Sequence, residues 1–268
     1  MKLNAARILV LGLLLIGSAS AEVQLLSNLT SEAALAPGGR REGRILLQNT
    51  GGAAATVRVY QTDYLFHCDG ANYYDTPGSS TRSNCSWITF SPQQFDIPPK
   101  ETLAVRYALQ VPNDQKLSGT YWSMLMVEPI ANETNAPLEA EDGHIQVGLR
   151  TVIRYGIQIV TNIGDTGRRE IKVADKKLVT NDGKRLLQLD VQNTGERWLR
   201  PVVWAEVYDE KGEYVGRFGG ARTRIYPGCS TRNLIDLSAL RAGKYNALVV
   251  VDNQDESVWG ARYVLQIE

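Results

Sequence analysis

The chain has 268 residues with 29 basic and 29 acidic side chains, two histidines and three cysteines. A formal charge of zero removes the electrostatic footprint expected of a nucleic-acid binder or of a protein held on an anionic membrane. Two histidines leave little material for an oriented catalytic base or a zinc site.

Residues 1–21 read as a secretory signal. Lys2 and Arg7 make a basic start, Ile8 to Ile16 is an apolar run broken only by Gly12, and Ala19-Ser20-Ala21 is a cleavage site. The run is shorter than the ~20 residues that span a bilayer, and no later segment is long and apolar enough for a membrane helix. The expectation is export by a cleavable signal, without membrane insertion. Glu22, not cysteine, follows the cut, so no lipid anchor is indicated. The remaining 247 residues (268 − 21) hold 27 basic and 29 acidic side chains, and suit two domains of about 100–150 residues each.

After a short opening strand and a Pro-Gly-Gly turn, Arg44–Gln48 is a predicted strand that stops at Asn49-Thr50-Gly51-Gly52. Thr56–Tyr64 alternates as a second. Cys68 and Cys85 then flank sixteen residues of loop-like sequence. In an oxidising compartment these two are expected to bridge, worth ~3 kcal/mol for such a loop. Cys229 is left over as a structural thiol, with an intermolecular bridge as the alternative. Thr102–Val111 places Leu103, Val105, Tyr107 and Leu109 on one face, and Gly119–Glu128 follows as another strand. Residues 130–143 are polar and acidic and read as a hairpin loop.

The next stretch, GHIQVGLRTVIRYGIQIVT from Gly143 to Thr161, organises the chain. Ile145, Val147 and Leu149 alternate with His144, Gln146 and Arg150. The pattern breaks near Thr151 and resumes as Tyr155, Ile157 and Ile159. At ~3.3 Å per residue the run is roughly 60 Å long, about three ordinary strands. Its second half is read as a core strand and its first half as an edge that pairs with another chain.

Asn162–Arg169 is a linker by its glycine and polar content. A second set of strands follows: Ile171–Val173, Leu186–Val191, Val202–Tyr208, Tyr214–Phe218, Thr223–Tyr226, Arg232–Ile235, Gly243–Val251 and Ala261–Ile267. Turn signals every eight to twelve residues mark an antiparallel β-sandwich. Leu237–Leu240 is a helical turn. ILLQNTG (45–51) and LDVQNTG (189–195) repeat one phrase, a strand that ends where Asn-Thr-Gly turns the chain.

These pieces, with SWITFSPQQFDIPPKET (86–102), RYALQVP (106–112) and GTYWSMLMVE (119–128), resemble the periplasmic chaperones of the chaperone–usher pathway, which build pili and other surface fibres. The resemblance implies an all-β protein of two immunoglobulin-like antiparallel β-sandwiches in tandem, a PapD-like domain over 22–161 and a second sandwich over 168–268. It implies a periplasmic, non-enzymatic chaperone, without cofactor, that binds an exported pilin-like or other surface subunit, with an outer-membrane usher as a further candidate partner. Ile145, Val147 and Leu149 match the strand that such chaperones donate to an incomplete subunit. Arg154 matches the lysine that holds the subunit's C-terminal carboxylate. The family's first-strand arginine has no counterpart, since Glu22 to Gly39 contains no Lys or Arg.

Other chemistry is weak in the sequence. His67, Cys68 and Asp69 are consecutive and point different ways, so no metal site is expected. The acidic loop lacks the ordered spacing of an EF-hand, and Gly216-Arg217-Phe218-Gly219-Gly220 reads as strand and turn rather than a phosphate loop. Trp122 and Trp204 read as core, whereas Trp87, Trp198 and Trp259 lie near turns. They carry the alternative, a structural or adhesive module with a carbohydrate platform.

Overall fold

The computed structural model describes residues 23–130 and 152–268. In its first half the strands are β1 (Val23–Leu25), β2 (Thr30–Leu35), β3 (Arg40–Asn49), β4 (Ala55–Phe66), β5 (Asn72–Asp75), β6 (Ile88–Ser91), β7 (Gln94–Ile97), β8 (Thr102–Gln110), β9 (Gly119–Pro129) and β10 (Tyr155–Ile163). They form two facing sheets, one ordered β1-β3-β8-β6, the other β2-β10-β9-β4-β5 with β7 on β4. The alternation read from the sequence is the reason these faces meet. Val57 and Val59, Val105, Tyr107 and Leu109, and Ile157 and Ile159 all point into one core.

The second half contains β11 (Ile171–Asn181), β12 (Lys184–Asn193), β13 (Val202–Tyr208), β14 (Tyr214–Arg222), β15 (Ser230–Asp236), β16 (Gly243–Asp252) and β17 (Val258–Ile267). Sheets β11-β12-β15 and β14-β13-β16-β17 enclose Leu189, Val203, Val249 and Ile235. The chain is thus two β-sandwiches in tandem, antiparallel except where β2 runs beside β10. Thr223–Tyr226 is not a strand: it holds one bridge, Leu199 to Ile225, because the chain is already turning into Pro227-Gly228. Leu237–Leu240 is a hydrogen-bonded turn, closed by the Leu240 N–H on the Leu237 carbonyl at 3.0 Å.

The repeated phrase has a physical basis. Asn49 and Asn193 are both fully buried. The Asn49 amide donates to the carbonyls of Ala53 and Ile97 at 2.7 and 2.8 Å and accepts the Gly51 N–H at 2.8 Å. Asn193 donates to Arg197 and Ile225 at 2.8 and 2.9 Å and accepts the Gly195 N–H at 2.9 Å. Each side chain satisfies three backbone groups that a turn would otherwise leave buried and unpaired.

The expected Cys68–Cys85 bridge is corrected by the structure, in which all three cysteines are free thiols. The insertion is stapled by a carboxylate instead. Buried Asp63 on β4 accepts the Ser80 N–H at 2.7 Å, the Ser83 hydroxyl at 2.5 Å and the Cys85 thiol at 3.3 Å. Asn84 adds a second anchor, donating to the Ile159 carbonyl and the Thr161 hydroxyl, both at 3.0 Å. Cys68 faces away from Cys85, and its N–H donates to Ser230 Oγ in the second sandwich at 3.0 Å. Burial pushes the Cys229 thiol up to about 11, as suits a structural cysteine.

The sandwiches share a packed join. Trp122 stacks on Tyr226 with ring centroids 4.7 Å apart, and Trp122 and Val160 belong to the second sandwich's core. Gly119 has φ +75°, and a Cβ there would stand 2.2 Å from the Glu196 carbonyl oxygen. Only glycine lets the two backbones meet, with the Thr120 N–H on that carbonyl at 2.9 Å.

Candidate functional site: an open strand edge and the cleft between the sandwiches

β10 pairs antiparallel with β9 from Tyr155↔Val127 to Ile163↔Gly119. On its other side β2 runs parallel, from Gln158↔Thr30 to Ile163↔Leu35. Tyr155, Gly156 and Ile157 therefore have a strand partner on one side only among the described residues. The split of the opening segment causes this. β1 pairs with β3 on one sheet, and β2 crosses to the other but reaches only the last six residues of β10. Tyr155–Ile157 thus form an open edge.

Ile145, Val147 and Leu149 lie outside the described residues. Arg154 stands immediately before β10, more than half exposed, with Nε 3.7 Å from Glu128 and an Nη donating to the Tyr60 hydroxyl at 3.3 Å. Glu128 takes its closer bond from Arg58, at 2.7 Å, and that bond holds the Glu128 carboxyl below its ordinary range. Arg154 keeps donors free for another acceptor.

A cleft of about 700 Å³ lies where the sandwiches meet. β2 and β10 contribute only the neutral Thr30 and Gln158 to its lining, whereas the second sandwich contributes Arg200, Arg222, Arg224 and Arg232. Gln158 Oε1 accepts the Tyr226 hydroxyl at 2.5 Å, and burial raises Tyr226 to about 12. Arg224 lies over the Trp198 ring at 4.1 Å and donates to Glu32 at 2.9 Å. Glu32 also accepts from Asn162 at 2.7 Å, so an acid occupies β2 and is tied across the join. Arg232 grips Asp190 through two bonds of 2.8 Å, and this holds the Asp190 carboxyl below its usual range.

These arginines were not read from the sequence, although a signal exists. Between Glu213 and Asp236 the chain has Arg217, Arg222, Arg224 and Arg232 and no acid. The turn tryptophans do not form a platform. Trp87 packs in the first core against Tyr121 at 4.6 Å, Trp198 lies under Arg224, and Trp259 packs against the second core. No helix among the described residues is long and apolar enough to cross a membrane.

No protein-family model and no curated protein matches the chain. Among solved structures, it is similar to a chaperone–tip adhesin complex of CFA/I fimbriae biogenesis, at 12% identity and TM-score 0.49 over 91% of this chain and 98% of that one. It is similar to the class 5 fimbriae chaperone CfaA, at 10% identity and TM-score 0.45 over 92% and 99%. A third is the CsuC–CsuE chaperone–tip adhesion subunit complex of Acinetobacter baumannii, at 13% identity and TM-score 0.43 over 89% and 97%. Chaperones of fimbriae and pili, the family that the sequence resembles, are thus among the structures similar to this chain.

Proposed function

We propose that this protein is a periplasmic chaperone-like factor that binds exported fibre or surface subunits by adding a strand to their sheet, and so aids their assembly. Residues 22–161 and 168–268 are its two units, and Ile145, Val147 and Leu149 are the donated side chains. The observation that carries this reading is the open edge of β10 upstream of Gln158. The donated residues keep the odd-numbered phase of Ile157 and Ile159, which are buried. One extended strand can therefore serve the protein's own core at one end and a partner's at the other. Main-chain hydrogen bonds give the added strand affinity. Each fully buried Ile, Val or Leu adds about 1.5–3 kcal/mol before ordering costs. Arg154 sits between the two ends and anchors a partner carboxylate, for which its planar fork is suited.

The test is co-purification of the subunit from periplasm with the wild type and with an Ile145→Ser, Val147→Ser, Leu149→Ser variant. The variant should keep its melting temperature and lose the subunit. A folded variant that retains it would return the chain to the structural or adhesive reading. Arg154→Ala should weaken subunit binding about tenfold at unchanged melting temperature, and an unaltered affinity removes its role.

A further inference from the structure

We propose that the cleft between the sandwiches binds an acidic polypeptide segment, gripped by Arg200 and Arg222. The inference rests on the chaperone reading for the nature of the partner, a polypeptide, and on the cleft itself for its charge. Four arginines line the cleft, and no aspartate or glutamate does. Two of the four are already neutralised from behind: Arg224 by Glu32 and Arg232 by Asp190. Among the described residues no carboxylate pairs with Arg200 or Arg222. The Arg222 Nε donates to the Arg200 carbonyl at 2.7 Å, which fixes the two residues side by side and leaves both Arg222 terminal nitrogens unspent.

Clustered like charges repel, so the free cleft holds an unfavourable field that an anion relieves. The residual charge is about two, from the two unpaired guanidinium groups, and matches two carboxylates. The cleft's size argues against a single small ion. About 700 Å³ is in the range that holds a molecule of many atoms, and Phe66 and Tyr226 supply apolar wall for backbone and side-chain stems. Tyr226 and Gln158 are bonded to each other, and every arginine of the lining belongs to the second sandwich, the first adding only His67 as a basic side chain. The grip comes from the second sandwich.

The probe is a fluorescein-labelled peptide of about ten residues, alternating glutamate with small residues and amidated at its C-terminus, read by anisotropy. The full chain should bind it, with affinity falling steeply as salt rises. Arg200→Gln/Arg222→Gln should weaken binding at least tenfold at an unchanged melting temperature, since both residues are exposed. The Ile145/Val147/Leu149 triple serine variant should bind it as the wild type does, which separates this site from strand donation. No binding, or equal binding by the double arginine variant, overturns the proposal. So does equal binding of a glutamine-for-glutamate peptide with a free C-terminus, because a terminal carboxylate alone would then suffice. Displacement by low millimolar inorganic phosphate also overturns it, by reducing the cleft to a small-anion site.

Discussion

Asn49 in the first sandwich and Asn193 in the second end equivalent strands with the same three bonds, yet the strands that open the two sandwiches behave differently. In the second, β11 runs eleven residues beside β12, with one irregularity at Val173/Asp175. In the first, the opening segment breaks into β1 and β2, which join opposite sheets. That break leaves the start of β10 open and brings Glu32 to Arg224 of the second sandwich. The same turn chemistry thus supports a closed module and an open one, and the difference lies in six residues of β2.

The sharpest test of the equivalence is to remove the amides. Asn49→Ala and Asn193→Ala each strand buried backbone groups, and each should cost about 3 kcal/mol in urea unfolding of its own sandwich. A cost under about 1 kcal/mol at either position would show that the shared phrase is not a shared device.

Acid should separate the sandwiches next. Asp190 is buried and its folded pKa is depressed by the Arg232 bond. Its contribution is present above the unfolded value of about 3.9 and is lost as pH falls through the folded value. Glu128, depressed in the same sense by Arg58, lies on a more exposed face, where screening reduces its effect. The second sandwich should therefore lose more stability than the first as pH falls below about 4, as followed by fluorescence of Trp198 and Trp87. Asp190→Asn should remove most of that dependence, and an unchanged acid profile would contradict the assignment.

A smaller effect is expected at the join. Tyr226→Phe loses the bond to Gln158 but keeps the stack on Trp122, and should cost about 1 kcal/mol. If it instead uncouples the melting of the two sandwiches, the hydroxyl rather than the packed rings holds them together.

The core strands were legible because period-two burial leaves a direct trace, as at Val57/Val59 and at Val105/Tyr107/Leu109. β2 was not, since TSEAAL has no alternation to read: it is a half-exposed edge held by backbone pairing. The cleft was hidden for another reason. Its lining comes from residues near 30, 66, 158, 200 and 222–232, which only the join of the sandwiches brings together. The cysteine pairing misled because compartment and loop length say nothing of Asp63, which organises the same loop by accepting hydrogen bonds. Thiol titration of the unfolded chain should count three thiols, and a count of one would restore the bridge.

The most direct measurement is hydrogen exchange of the amides of residues 145–149 in the free protein and in its purified complex with a subunit. Donation of this strand predicts slow exchange that appears only in the complex and continues into Tyr155–Ile157. Exchange at these amides that is equally slow in the free protein, or equally fast in both states, would contradict it.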